Sequence, residues 1–302
     1  MVIDLAARAQ VRWGVILERR GQEWHGPCPV CGGHDRFWVN TREHYQCRRC
    51  GFSGWLDDGL SPTALAARQA EVVRAEAAQQ ADLAYRLNAL RRQVEREADL
   101  LSHDEERKLI AEQYYRGEGI SDWAIQYYQL GFTRHHTVRG GGGDYLDVPA
   151  FTIPVWEPHE WQVVNIQYRL ADPPPGVGKY QQVAGLPAAA FYCQGRTTGD
   201  ALVVEGAKKA LVLYQLCGGE LQVVGLPGNF PSERVLTGLH GFERLYLMLD
   251  PNSDDAVERI ARELYPRVRI VSLCAKPDDL VRQGMSRADL RAHLTCARLS
   301  GG

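Results

Sequence analysis

Nowhere do 18 apolar residues run together in this 302-residue sequence, and a helix that crosses a bilayer needs about 20. An export signal is missing as well, because Asp4, Arg8, Arg12 and Glu18 interrupt the first twenty residues. Both gaps predict a cytoplasmic protein with no membrane partner. Net charge is nearly absent: 35 basic residues stand against 37 acidic ones, leaving -2. Any polyanion-binding surface must therefore be local. At 45% hydrophobic and 24% charged, the chain is neither disordered nor fibrous in type. It has material for a core that needs no disulfide staple.

Between Thr63 and Arg116 there is neither Gly nor Pro, while Ala, Leu, Glu, Arg and Gln dominate. With Ser61-Pro62 at its start, this stretch predicts one long helix or two. A break is expected near Leu101-Ser102-His103-Asp104, with Ser102 capping the second helix, and 63–99 reads as a solvated connector. Residues 1–57 are rich in Trp, Gly and Cys, with alternating segments such as Arg36-Phe37-Trp38-Val39 that read as strands. Beyond Glu118, Ile120-Ser121-Asp122 opens a helix through Tyr128, and 140–143 is a flexible glycine loop. Strand-like runs follow at 150–155, 163–169, 201–204, 221–224, 245–249 and 268–273. Helical patterns at 207–216, 231–239 and 255–265 alternate with the last four, which predicts a buried parallel sheet. No internal repeat is visible.

The eight cysteines are unevenly placed. Cys28, Cys31, Cys47 and Cys50 make two C-x-x-C pairs, whereas Cys193, Cys217, Cys274 and Cys296 stand singly and read as buried small hydrophobes. Two thiolates from each tight turn complete the tetrahedron that zinc accepts, so one structural Zn²⁺ is expected. Four sulfurs leave no open position for catalysis. His25, His34 and His44 read as surface or packing residues rather than a fifth ligand. Arg36, Arg42, Arg48 and Arg49 interleave with Phe37, Trp38, Tyr45, Phe52 and Trp55. Such a set suits stacking on unpaired bases with phosphate contact. Some of the same aromatics must instead supply the small core of the ribbon.

The C-terminal half repeats one pattern. The apolar run 201–204 ends in Glu205-Gly206, the run 245–249 ends in Asp250, and 268–273 is followed by Lys276-Pro277-Asp278-Asp279. In an open parallel sheet the carboxyl ends of strands form the ligand crevice, so three carboxylates are expected on one edge. Hard oxygen ligands there suit Mg²⁺ or Mn²⁺, while Asp254 or Asp255 alone can be a helix cap.

Val204-Glu205-Gly206-x-x-Lys209, Leu249-Asp250-Pro251-Asn252 and Lys276-Pro277-Asp278-Asp279-Leu280 resemble the motifs of a Toprim domain. The segment from Gly26 to Phe37 with Tyr45 to Gly51 resembles the zinc ribbon of phage- and plasmid-type DNA primases. Tyr114-Tyr115-Arg116-Gly117-x-Gly119-Ile120-Ser121 and Leu130-Gly131-Phe132 resemble the start of the bacterial primase core. Phe151-Thr152-Ile153-Pro154, Gln167-Tyr168-Arg169 and Lys179-Tyr180-Gln181-Gln182 continue the likeness in the family's order. The resemblance implies an α+β and α/β multidomain chain. Its parts are a zinc ribbon at 1–60, a helical linker at 61–113, an N-terminal subdomain of the primase core at 114–198 and a Toprim domain at 199–302.

It also implies a primase of mobile-element type, a primosome component that joins ribonucleoside triphosphates on single-stranded DNA, with a replicative helicase as a possible partner. Glu205, Asp250, Asp278, Lys179 and Arg169 would be catalytic. Glu205, Asp250, Asn252, Asp254 and Asp278 would hold the divalent ion. Arg36, Trp38, Arg48, Arg49, Lys179, Tyr180, Lys208 and Lys209 would contact nucleic acid. The family's second motif reads Asp-x-Asp where this chain has Asn252, an uncharged ligand. Either Asp254 or Asp255 compensates, or the site is weakened. An arginine implied before Phe151 has no counterpart, nor has the helicase-binding domain of cellular primases, and the helical region 63–99 is additional. The rival readings are a non-polymerising DNA-binding accessory and a Toprim nuclease.

Overall fold

The structure is a computed structural model that describes residues 5–58, 61–160, 162–194 and 199–299. The chain forms two compact units, divided between Ala84 and Tyr85. In the first, helix α1 (Leu5–Trp13) precedes strands β1 (Glu18–Arg20), β2 (Glu23–Cys28), β3 (Gly32–Asn40), β4 (His44–Cys47) and β5 (Ser53–Trp55). The strands pair antiparallel in chain order. Because side chains alternate across a strand, the aromatics are sorted by face. Phe37, Val39 and Tyr45 point inward with Phe52 and are almost fully buried. Trp13 of α1 closes that core edge-on, 5.3 Å from Phe37 and 4.7 Å from Tyr45.

Helix α2 (Pro62–His103) begins in this unit, with the Ser61 hydroxyl accepting from the Ala64 amide at 3.2 Å. Leu65 and Val72 pack on the ribbon core. The division between the units falls inside α2, and its later turns belong to the second core. There Leu90 and Val94 are buried, and Gln93 donates to the Tyr168 hydroxyl at 3.1 Å. The stretch expected to be a solvated connector is thus partly a packing element.

The break comes at Asp104 instead of Ser102, which lies within α2. Asp104 has the extended backbone an N-cap needs, and its carboxylate accepts from the Arg107 amide at 3.0 Å to start helix α3 (Glu105–Gly117). The buried Arg107 then joins three elements, donating to Glu97 at 2.5 Å and to the Phe132 carbonyl at 2.7 Å. Helix α4 (Asp122–Tyr127), capped by Ser121, leads into an antiparallel sheet. Its strands are β6 (Gly131–Arg139), β7 (Tyr145–Trp156), β8 (Val163–Leu170) and β9 (Tyr180–Gln182), and 140–143 closes the first hairpin.

The rest of the chain builds a six-stranded sheet from β10 (Phe191–Tyr192), β11 (Asp200–Glu205), β12 (Gln222–Leu226), β13 (Arg244–Met248), β14 (Val268–Ile270) and β15 (Arg298–Leu299). Helices α5 (Ala207–Cys217), α6 (Glu233–Leu239), α7 (Asp254–Glu263), α8 (Pro277–Arg282) and α9 (Arg287–Thr295) connect them. The spatial order is β10-β12-β11-β13-β14-β15, and the four inner strands run parallel. Leu202 and Val204 join the core that includes α5, while Ala201 and Val203 join the core that includes α6 and α7. The sheet is therefore covered on both faces, as its continuous apolar strands require. From β11 the chain passes to β12 on one side and later to β13 on the other. That reversal opens a crevice at the carboxyl ends of β11 and β13.

Cys193 and Cys217 are buried as expected, but Cys274 and Cys296 are exposed. The first lies between β14 and α8 and the second caps the C-terminus of α9, where nothing covers a small side chain. Among the described residues no helix is long and apolar enough to cross a membrane.

Asp104→Ala should lower the stability of the second unit by about 1 kcal/mol, while Asp104→Asn keeps most of it. Urea titration followed by far-UV circular dichroism will measure the difference.

Candidate functional site

The four cysteines of the ribbon converge. Cys28 Sγ lies 3.7 Å from Cys50 Sγ, Cys31 Sγ lies 3.6 Å from Cys47 Sγ, and all four are within 4.8 Å of one another. A tetrahedron with zinc–sulfur bonds of about 2.3 Å has edges of about 3.8 Å, so the cluster fits one structural Zn²⁺ without rearrangement. The Val30 amide donates to Cys28 and the Arg49 amide to Cys47, each at 3.4 Å, so backbone N–H groups favour the thiolates. None of the nearby histidines completes the cluster. His34 is exposed, His25 pairs with Glu23 at 3.0 Å, and His44 packs between Trp38 at 5.7 Å and Trp55 at 5.2 Å.

That last contact marks the outer face of the sheet. Trp38, His44 and Trp55 form a continuous aromatic row, with Arg48 exposed on the same domain and Arg36 half-buried. Arg49, exposed like Arg48, is ion-paired with Glu76 of α2 at 2.7 Å. Phe37, Tyr45 and Phe52 are core residues with no face toward a ligand.

In the second unit a cavity of about 410 Å³ lies at the ends of β11 and β13. Its start is shaped by glycine. Gly206 at the N-terminus of α5 has φ +84°, and a Cβ on Gly225 of β12 would sit 2.6 Å from the Gly206 carbonyl oxygen. The close approach lets the Gly206 amide donate to Leu226 at 2.9 Å and brings α5 to the mouth of the sheet. Glu205, Asp250 and Asp278 all line the cavity, as the sequence pattern predicts.

The cavity is not the simple acidic crevice expected. Glu118, Glu205, Asp250, Asp278 and Asp279 are matched by Lys179, Lys208, Lys209, Lys276 and Arg282, five charges of each sign. Lys208 bridges Glu118 at 2.5 Å and Asp278 at 2.8 Å, and Lys209 binds Asp250 at 2.6 Å. Lys276 stands 3.8 Å from the other oxygen of Asp250. The two lysines of α5, expected to contact nucleic acid, thus line the cavity and face carboxylates of the chain. Burial pushes the Asp278 carboxyl up, but the hydrogen bond and charge of Lys208 outweigh it and hold the group below its usual range. Burial raises the Glu205 carboxyl; Asp250 adds to the rise, and Lys209 and Lys276 oppose it. Burial, Arg169 and Lys208 lower the Lys179 ammonium.

Two residues expected at the metal, Asn252 and Asp254, and one expected to be catalytic, Arg169, are not part of the cavity lining. Asn252 is exposed in the turn after β13 with φ +70°, a left-handed position that Asn adopts readily, and Asp254 is exposed in the first turn of α7. Neither lines the cavity. Arg169 donates to the Leu170 carbonyl at 3.0 Å and lies over Tyr114, 5.1 Å from its centroid, so it supports the wall rather than facing the cavity. Sequence reasoning missed Glu118, Lys276 and Arg282 as cavity residues. Glu118 is the unspecified position of the Gly117-x-Gly119 motif, and that turn was its only signal.

The cavity fits a divalent ion in one respect. Asp278 Oδ1 is buried with no hydrogen-bond partner, and the repulsion between Glu205 and Asp250 would be relieved by a cation. Among the described residues only the cysteines form a ready group of three or more ligand atoms. Mg²⁺ tolerates that looseness, because it keeps several waters.

The fold, a zinc ribbon followed by an α/β core, is similar to that of solved DNA primases. Residues 23–60 match the family of zinc-binding domains of primase-helicase. The zinc-binding and RNA polymerase domains of the Aquifex aeolicus primase are similar over 98% of this chain and 85% of that one, with TM-score 0.55 and 18% identity. The DnaG catalytic core is similar over 72% of this chain and 80% of that one, with TM-score 0.54 and 16% identity. The primase fragment of the bacteriophage T7 primase-helicase aligns with 89% of this chain and 98% of that one, at TM-score 0.45 and 17% identity. Curated protein sequences yield no match.

Elemental analysis should find one zinc per chain, and Cys47→Ser should lose it and unfold the ribbon while the second unit keeps its own transition. Zinc-free protein with an intact ribbon would contradict the site. Lys208→Met strands the buried Asp278 carboxylate and should cost about 3 kcal/mol at pH 7. In the wild type the stabilisation from Asp278 is fully present above pH 3.8 and is lost as pH falls through the depressed folded value. In Lys208→Met burial acts without that lysine, so Asp278 takes up its proton at higher pH than in the wild type. The gap between the two proteins should therefore shrink as pH falls from 7 to 4, which denaturant titrations will read.

Proposed function

We propose that this chain is a DNA primase that makes short RNA primers on single-stranded DNA by metal-dependent nucleotidyl transfer. The observation that carries the reading is the pairing of a primase-type zinc ribbon with a core of bacterial primase fold whose Glu205 and Asp250 end neighbouring strands at one cavity. Domain limits at 1–60, 61–113, 114–198 and 199–302, with the last of Toprim type, belong to the same proposal, as do a mobile-element setting and a helicase partner.

In the reaction a 3′ hydroxyl attacks the α-phosphate of a ribonucleoside triphosphate, the bond from that phosphorus to the bridging oxygen breaks, and pyrophosphate leaves. Glu205 and Asp250, with Asp278, would hold Mg²⁺ or Mn²⁺, which when bound neutralises charge on the phosphates. Lys179, Lys276 and Arg282 are exposed around the cavity and would take the triphosphate oxygens. Tyr180, also exposed and lining the cavity, offers a ring for a base. Lys208 keeps Asp278 ionised and fixes the start of α8. On the ribbon, Trp38, Trp55 and Arg48 would hold template bases and phosphates.

The balance of five cations against five carboxylates favours one second reading, an accessory protein that binds DNA without polymerising. Labelled nucleotide incorporation on single-stranded DNA, with Mg²⁺ or Mn²⁺, separates the two. The primase reading expects products that vanish in Glu205→Gln and Asp250→Asn. Glu205→Gln should leave thermal stability little changed because it relieves repulsion with Asp250, whereas Asp250→Asn also deprives Lys209 of its partner and should lower it. Trp38→Ala should weaken template binding at least several-fold. No incorporation by the wild type on several templates, with binding through Trp38 retained, would overturn the primase and leave the accessory.

A further inference from the structure

Helix α5 begins against its own electrostatics. The first turn of a helix favours anions, yet that of α5 carries no acidic residue and places Lys208 and Lys209 there. Both side chains are only 12% exposed, so each ammonium has given up most of its water. Such a placement persists where a partner compensates it, and the two lysines have different partners. Lys208 is held from two sides by Glu118 and Asp278 and is part of the frame. Lys209 is ion-paired with Asp250 Oδ1 at 2.6 Å, and its charge also acts on Glu205. Its ammonium is therefore bound to one of the two carboxylates proposed to hold the divalent ion and favours the ionised form of the other.

We infer that Lys209 is a built-in counter-cation that keeps this cation site closed until an anionic nucleotide arrives. The inference rests on reading Glu205 and Asp250 as the cation-holding pair. A divalent ion entering alone meets a cavity of zero formal charge and must displace an ammonium already 2.6 Å from Asp250. A nucleoside triphosphate reverses both conditions. It adds negative charge to the cavity and offers phosphate oxygens to Lys209, whose flexible stem lets the ammonium swing from Asp250 to phosphate. Asp250 is then free for the ion that accompanies the nucleotide. Metal and nucleotide bind cooperatively through this one side chain, and linkage makes the effect reciprocal.

The test is Mn²⁺ binding to the zinc-loaded full chain, counted from the electron paramagnetic resonance signal of free Mn²⁺, with and without GTP. Wild type should bind Mn²⁺ weakly alone and more tightly once GTP is present. Lys209→Met should bind Mn²⁺ alone on the order of tenfold more tightly, the effect one neighbouring charge has on a carboxylate's proton affinity, and GTP should add less. Lys209→Gln provides the same loss of charge if the Met variant folds poorly. Lys209→Arg, which keeps the charge, should resemble wild type, and adding Asp250→Asn to Lys209→Met should abolish the gain. Unchanged Mn²⁺ affinity in both uncharged variants, or equal tightening in Lys209→Arg, would overturn the inference. The measurement needs neither template nor turnover, so a failure to synthesise primers would remove the activity reading and leave this result standing.

Discussion

A carboxylate delivered to the end of a buried parallel strand must meet a positive charge there, and the second unit of this protein is organised around that constraint. Glu205 and Asp250 arrive on adjacent strands, and Asp278 follows in the first turn of α8. Leaving any of them unpaired in such a place costs several kcal/mol. The compensation comes from one short segment, Lys208 and Lys209, because α5 starts immediately after the Gly206 turn. The glycines at 206 and 225 are thus part of the electrostatics. Without their close approach, α5 would begin farther from the strand ends, and its lysines would not reach Asp250 and Asp278 together.

The ribbon solves a smaller version of the same problem. Its sheet is too small to bury aromatics on both faces, so one face takes Phe37, Tyr45 and Phe52 under Trp13, and the other leaves Trp38, His44 and Trp55 in contact with solvent and one another. The four thiolates fix the turns that hold both faces in register. A metal that fastens the scaffold and an outward aromatic row proposed to meet template bases are separate devices, so the zinc needs no open position.

Much of this was legible in the sequence, for physical reasons that differ by element. The cysteine spacing states its own geometry, since two C-x-x-C turns can satisfy one tetrahedral ion. The alternation of short apolar strands with helices over 201–270 specified a sheet buried on both faces, and the carboxylates at 205, 250 and 278 duly fall on one edge. What periodicity cannot carry is pairing between side chains far apart in the chain. Glu118 meets Lys208 across 90 positions, and no local pattern announces it. The ion pair of Arg49 with Glu76 on the following helix was hidden for the same reason. The helix break moved from Ser102 to Asp104 because two residues of similar capping chemistry compete there and backbone geometry decides between them. Asn252 looked like a weakened metal ligand from its place in a motif. In space it is a left-handed turn residue that does not line the cavity.

That correction changes which residue governs the cation chemistry. In the sequence, the absence of a second acid at 252 seemed the main threat to divalent binding. The cavity shows a stronger influence in the opposite sense, an ammonium already bound to Asp250 at 2.6 Å. Coulomb energy falls with distance and is screened by water, so a charge inside the cavity outweighs one in an exposed turn beside it. A site with five cations and five carboxylates is poorly suited to hold a metal at rest and well suited to accept metal and polyphosphate together. Under the proposed nucleotidyl transfer, such a balance would tie the metal to the triphosphate it serves.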